Sequence, residues 1–336
     1  MRYILYYSLL FINLSCNNIQ DPYTREISLK NTEIIKGNIL FSLNANHFSY
    51  DLKITDSYYI LLDLENDTVM NAYKKGYYKS PVHSWTKTSG TSKKNLCSPI
   101  FMKNITNNPD KDIIQIIDKE IYEKKIQLFS DSVTTQEIPL KRGVSLETDY
   151  YRIGDELYST TTHRKGISPY YFFHADSGYY WVDPSPSVFN YLQKQKRAYS
   201  CRLCINEQAR TTVVAYRFIN IIDFYDLRGN NKKTILVGDS IIPPIISEKI
   251  DVAKSMKHFI HISGTSKYIY CLYDGTSDFS ANSIILILDW NGKQKAILQA
   301  DRNLRTIAID QSNQILLGIS SRKDGGEDIL EYKLFL

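Results

Sequence analysis

Short apolar runs recur along this chain, each ending at a polar turn before a second run begins. The clearest is Ser283-Ile-Ile-Leu-Ile-Leu-Asp289, which turns over Asp289-Trp-Asn-Gly292 and returns through Ala296–Leu298. An Asp opening a turn can accept bonds from backbone N–H groups further on. A Gly in fourth place takes positive φ without a Cβ clash. The pattern predicts a β-hairpin. The same Asp-x-x-Gly order follows Asn220-Ile-Ile-Asp-Phe-Tyr-Asp226, and Tyr58–Asp63 leads to Asn66 in the place of Gly. Asn is the next residue to tolerate the left-handed conformation. Ile113–Asp118 with Lys124–Phe129 is a looser copy, Tyr171–Gly178 keeps only the glycine, and Ile329–Phe335 matches the first half.

The markers Asp63, Asp118, Ala175, Asp226 and Asp289 stand 51 to 63 residues apart. A β unit recurring at roughly 40–50 residues or a little more marks a propeller blade. Five marked units and a terminal strand predict six blades. A lone four-stranded sheet cannot cover its own faces, whereas a closed ring of sheets covers both and leaves short edges. No segment keeps a helical period, and Tyr, Ile, Phe, Thr and Val fill the runs, as strands favour. The expected fold is all-β, a six-bladed propeller over residues 33–336. It is preferred to a pair of sandwiches because no linker or charge block divides the chain.

Residues 1–32 read differently. One positive charge, Arg2, precedes an apolar stretch from Tyr3 to Leu14. That is too short for a spanning helix, which needs about 20 residues, and suits a secretory leader. Ser15-Cys16 resembles a bacterial lipobox, with Asn13 departing from the usual Leu. The expectation is a signal peptide over 1–15, lipidation at Cys16 and a polar tether over 16–32. Two acyl chains, at about 0.8 kcal/mol per buried CH₂, would hold the protein to a membrane. Cleavage near Cys16 without lipidation would instead release it.

Composition alters this picture little. The 336-residue chain carries a formal charge of +5, or +4 once Arg2 leaves with the leader. Its lysines are dispersed apart from Gln193–Arg197 and Asn231–Lys233, with no basic aromatic stripe of the kind nucleic acid requires. The 26 tyrosines fit between blades, ring buried and hydroxyl at a wet rim. They could also line a ligand cleft.

Several segments point to one family: Leu61-Leu62-Asp63, the loop from Gly90 to Ser98-Pro99, Tyr270-Cys-Leu-Tyr-Asp-Gly275, Asp289–Lys293, Ile307–Asp310 and Gly318-Ile319. Their order resembles the Bacteroides-type TolB-like six-bladed β-propeller lipoproteins, over nearly the whole chain from Cys16. The resemblance implies a cell-envelope lipoprotein, in the outer membrane of a Gram-negative bacterium, and supplies no catalytic residues. The chain departs at Ser89–Leu96, with one glycine and no acid where the family carries a denser Gly-x-Gly-Pro-Gly-Glu stretch.

Candidate chemistry is sparse. Cys201-Arg-Leu-Cys204 is a CxxC, but its surroundings alternate as a strand does, which sets the two Cα atoms about 10 Å apart and sends the thiols to opposite faces. One buried cysteine of the two is expected, and pairing among Cys97, Cys201, Cys204 and Cys271 is left open. His258 and His261 face opposite ways on the same grounds, and the histidines read as scattered loop residues rather than metal ligands. Glu147, Asp149, Asp155 and Glu156 have no visible convergence, and Asp324–Asp328 reads as a hairpin turn. No P-loop, dinucleotide or Gly-x-Ser-x-Gly fingerprint occurs.

No cofactor or metal is expected. The reading is a binding protein for a peptide, glycan or protein partner, attached to the membrane through Cys16. The alternative is a propeller hydrolase or lyase in the central funnel, which requires inner strands to bring Asp, Glu or His to one axis. Binding residues are sought on the loops Trp85–Lys94 and Thr161–Lys165, at Trp85, Lys94, His163 and Arg164, because loops on a rigid ring collect them.

Overall fold

The apolar runs become strands that pair with their sequence neighbours into six antiparallel sheets arranged as a six-bladed β-propeller. The computed structural model describes residues 25–336 apart from 46, 64–65, 88–94, 106–111, 120–121, 141–148, 161–167, 175–177, 193–198 and 247–249. The innermost strands of blades 1 to 6 are Ser49–Ile54, Ile100–Phe101, Tyr150–Ile153, Cys201–Asn206, Lys257–Gly264 and Thr306–Ile309. Each meanders outward through its blade. The second strands Tyr58–Asp63 and Thr211–Tyr216 are buried at every position. Each blade is covered on both faces, so its middle strands read as continuous apolar runs rather than alternating ones.

Six apolar clusters hold the ring, and each fills one seam. Tyr58, Trp85 and Ile114 join blades 1 and 2, and Met102, Ile117 and Tyr150 join 2 and 3. Tyr151, Leu203 and Tyr216 join 3 and 4, and Val213, Ile262 and Trp290 join 4 and 5. Tyr270, Ile307 and Tyr332 join 5 and 6, and Tyr59, Leu317 and Leu52 close 6 onto 1. Tyrosine serves as expected. The Tyr151 hydroxyl donates to the Leu203 carbonyl at 2.9 Å across its seam, and the Tyr58 hydroxyl to that of Phe129 at 3.0 Å.

Two details correct the sequence reading. The turns used as one marker are not equivalent. Asp63 ends a second strand, whereas Asp226 and Asp289 end third strands. The blade count survives because every blade contains the hairpin between its second and third strands; blades 1 to 5 also have one between the third and fourth.

The polar segment expected as a tether also carries structure. Arg25–Ile27 lies parallel to Asn231–Val237 as a fifth strand of blade 4, with Ile27 only 1% exposed. Glu33–Ile35 then runs parallel to Gln294–Ala300 of blade 5. Asn38–Leu43 pairs antiparallel with Glu327–Lys333 and supplies the outer strand of blade 6. The N-terminal segment thus clasps three blades in succession. No period was visible because Arg25–Ile27 is three residues long and turns only its last side chain inward.

Candidate functional site

An innermost strand has one paired edge and one open edge facing the axis. Its free N–H and C=O groups need partners, and in this ring charged side chains of adjacent blades supply them. Asp149, just before the inner strand of blade 3, accepts from Leu203 N of blade 4 at 3.0 Å. Arg202 of blade 4 donates through Nε to the Ile260 carbonyl of blade 5 at 3.0 Å. These contacts bring formal charges to the axis.

Lys103 of blade 2 is the hub. Its Nζ lies 2.9 Å from Asp149 Oδ1, 3.3 Å from Asp51 Oδ2 of blade 1 and 3.2 Å from His261 Nε2 of blade 5. Arg202 Nη1 is 3.6 Å from Asp149 Oδ1, and His261 Nε2 is 3.6 Å from Asp51 Oδ1. Five blades therefore contribute to one cluster, while blade 6 presents Ile307, Ala308 and Ile309.

Burial works to raise the Asp51 carboxyl, but the Lys103 ammonium outweighs it and holds that carboxyl well below the usual range. Asp149 is likewise lowered, as Lys103 and Arg202 overcome the effect of burial. Lys103 would be lowered by burial, yet Asp149 and Asp51 raise it above an ordinary lysine. Burial, then the neighbouring Lys103, takes His261 down to about 4. Burial brings Lys53, on the same strand as Asp51, down to about 8. At neutral pH the axis thus holds two carboxylates, the cations Lys103 and Arg202, a neutral imidazole and a largely protonated Lys53.

A recess opens beside this cluster, lined by residues that include Lys53, Asn104, Ser263 and Gln311, and leaves about 80 Å³ for the centres of water-sized molecules. A single water needs about 10–15 Å³ on this measure, so the recess admits a small group. Gln311, in the turn after the inner strand of blade 6, is exposed at its edge.

The residues singled out from sequence fall elsewhere. Trp85 is not on a loop: it lies in the strand His83–Lys87, 1% exposed, within the seam of blades 1 and 2. Its apolar bulk fills that seam, which corrects the expectation of a binding residue there. Lys94, His163, Arg164 and Cys16 lie outside the described residues. Cys201 and Cys204 face different clusters, as expected from a strand, but both are buried rather than one. Cys97, Cys204 and Cys271 are free thiols, and the Cys201 thiol donates to the Pro169 carbonyl at 3.1 Å. His258 and His261 are buried in an inner strand and not scattered on loops.

Sequence reasoning listed Asp149 and His261 but did not join them, and it passed over Asp51, Lys103 and Arg202. The available signal was a charge interrupting an apolar inner strand, as in Tyr50-Asp-Leu, Cys201-Arg-Leu and Ile260-His-Ile.

No protein-family model matches this sequence, and no curated protein does. Solved structures do resemble it. A member of the DUF4221 family from Bacteroides vulgatus is similar at a TM-score of 0.55 and 8% identity, over 90% of this chain and 99% of that one. The β-propeller domain of Myceliophteria thermophila Cps50 (Swd1) is similar at 0.44 and 9%, over 88% and 99%. The AfRom2 CNH domain is similar at 0.46 and 10%, over 89% and 99%. The first likeness is one of fold.

Proposed function

We propose that this chain is a cell-envelope lipoprotein of the TolB-like propeller kind, held to the membrane through Cys16, whose axial recess receives a peptide, glycan or protein partner. The observation that carries the reading is the cluster Asp51, Lys103, Asp149, Arg202 and His261, gathered from five blades beside an open recess. Buried charges are costly to assemble without compensation, and polar groups converging on a concavity are what a binding site needs. The apolar leader ending at Ser15-Cys16 supports the envelope location.

Peptide and glycan arrays probed with the mature chain test the binding. Gln311→Trp should obstruct the recess from its exposed edge and cut retained signals at least tenfold. Blank arrays, or hits indifferent to that substitution, would remove the recess from consideration. Mass spectrometry should find a diacylated Cys16 at the mature N-terminus; an unmodified terminus there contradicts the anchor.

A hydrolase or lyase in the funnel is the second reading, favoured by the convergence of Asp51, Asp149 and His261 on the axis. General acid–base work on a glycoside needs one carboxyl that keeps its proton near neutrality beside one that does not. Both carboxyls here are held low by Lys103 and other cations, and His261 Nε2 is engaged by Lys103. The cluster is better suited to holding charge than to moving protons.

A further inference from the structure

We infer that the axial recess is built for a carboxylate, and that its occupant is the C-terminal residue of a peptide. This rests on the preceding reading of the recess as a binding site and narrows its ligand.

The first argument is the charge count. Lys53, Lys103 and Arg202 face Asp51 and Asp149, which leaves one cation in excess. Lys103 is fully engaged by Asp51, Asp149 and His261. Arg202 is held by Asp149 and the Ile260 carbonyl. Lys53 is the surplus: among the described residues its Nζ has one bond, to the Met102 carbonyl at a long 3.5 Å, and no carboxylate in ion-pair contact.

The second argument comes from His261. An ammonium has only N–H donors, so Lys103 Nζ at 3.2 Å makes His261 Nε2 the acceptor. His261 Nε2 is thereby taken up inside the cluster, and the neutral ring adds no charge that could balance Lys53. Lys53 Nζ thus stands at the recess as a donor without an adequate acceptor. A ligand with anionic oxygens meets that requirement, through the charge-assisted bonds that are the stronger kind.

The walls choose among carboxylates. Ile54, Ala308 and Ile309 make one side of the recess apolar, while Asn104, Ser263 and Gln311 offer amide and hydroxyl groups. A C-terminal residue presents that combination: a carboxylate, a backbone amide and one small apolar side chain. A uronic acid carries hydroxyls around its ring, which apolar walls would leave unpaired, and about 80 Å³ for water-sized centres is restrictive for it.

Titration calorimetry on the mature chain tests this with N-acetyl-Gly-Leu as free acid, the same dipeptide as C-terminal amide, and methyl glucuronide. The free acid should bind at least tenfold tighter than the amide. Lys53→Met, which keeps the stem and removes the charge, should abolish that difference without lowering the unfolding midpoint. Equal binding of acid and amide, no binding of the free acid at millimolar concentration, or an unchanged preference in Lys53→Met overturns the inference. Tighter binding of methyl glucuronide than of the free-acid dipeptide overturns the peptide assignment. An array hit lost with Gln311→Trp but indifferent to Lys53→Met would keep the recess as a site and reject the carboxylate; blank arrays with blank calorimetry would reject both.

Discussion

Asp149 is fully buried, with Lys103 at 2.9 Å, Arg202 at 3.6 Å and the Leu203 N–H at 3.0 Å. Asp149→Asn keeps the shape and an oxygen for Leu203 but leaves the half-buried cations Lys103 and Arg202 with one anion fewer. Removing one partner of a buried pair costs about 3–5 kcal/mol, and denaturant unfolding should show a loss of that order. A change within experimental scatter would mean that the cluster adds nothing to stability. Gly292 is a different case. Its φ is 72° and a Cβ there would meet Ile235 Cδ1 at 2.9 Å, so Gly292→Ala should cost about 1–2 kcal/mol in the same measurement. The glycine was legible from Asp289-Trp-Asn-Gly because its role is local: Asp289 Oδ1 accepts from Asn291 N at 3.0 Å and Lys293 N at 2.9 Å. Nothing local marked Asp149, whose partners come from blades 2 and 4.

At the scale of elements, the hairpins followed the sequence closely and the N-terminal clasp did not. Turn chemistry acts within four residues, so Asp226–Gly229 repeats the geometry of Asp289–Gly292, with Gly229 at φ 86°. The strand Arg25–Ile27 exists only because blade 4 offers an open outer edge and an apolar gap at Ile235, Val213 and Val237. Ile27→Ala should therefore cost about 2–5 kcal/mol, as deletion of a buried aliphatic side chain does. Amide exchange would check it: protection along Asn231–Val237 should fall more than along Tyr268–Thr276. Equal loss in both would mean that the clasp and blade 4 do not unfold as a unit.

For the whole molecule, pH tests how the buried groups couple to folding. Burial lowers His258 and His261 to about 4 from an ordinary 6.5, Lys103 adding to the effect at His261. The unfolded chain thus binds protons that the fold refuses. This contribution is complete above pH 6.5 and declines as pH falls from 6.5 towards 4, by up to about 1.4 kcal/mol per unit for each histidine. Asp223, whose carboxyl burial pushes up despite bonds from Thr234, Ser185, Tyr216 and Tyr225, takes up a proton in the fold first and makes the net slope shallower. Asp51 and Asp149, held low, keep their contribution until the pH passes below the ordinary carboxylate range. Denaturant midpoints should fall steadily between pH 6.5 and 4.5; a level profile would contradict the burial of both imidazoles.

What the sequence determined by itself was everything carried by neighbours along the chain: strands, hairpin turns, opposed thiols at Cys201 and Cys204, and from their recurrence the ring of six. Each depends on backbone geometry and on burial of a short run, which act within a few residues. Only the tertiary structure decided which polar residues meet. Lys103 and His261 are 158 positions apart, and Trp85, conspicuous on paper, lies hidden in a seam. A side chain's chemistry follows from its residue type, but its neighbours across the axis follow from ring closure, in which five blades bring their charges to one place.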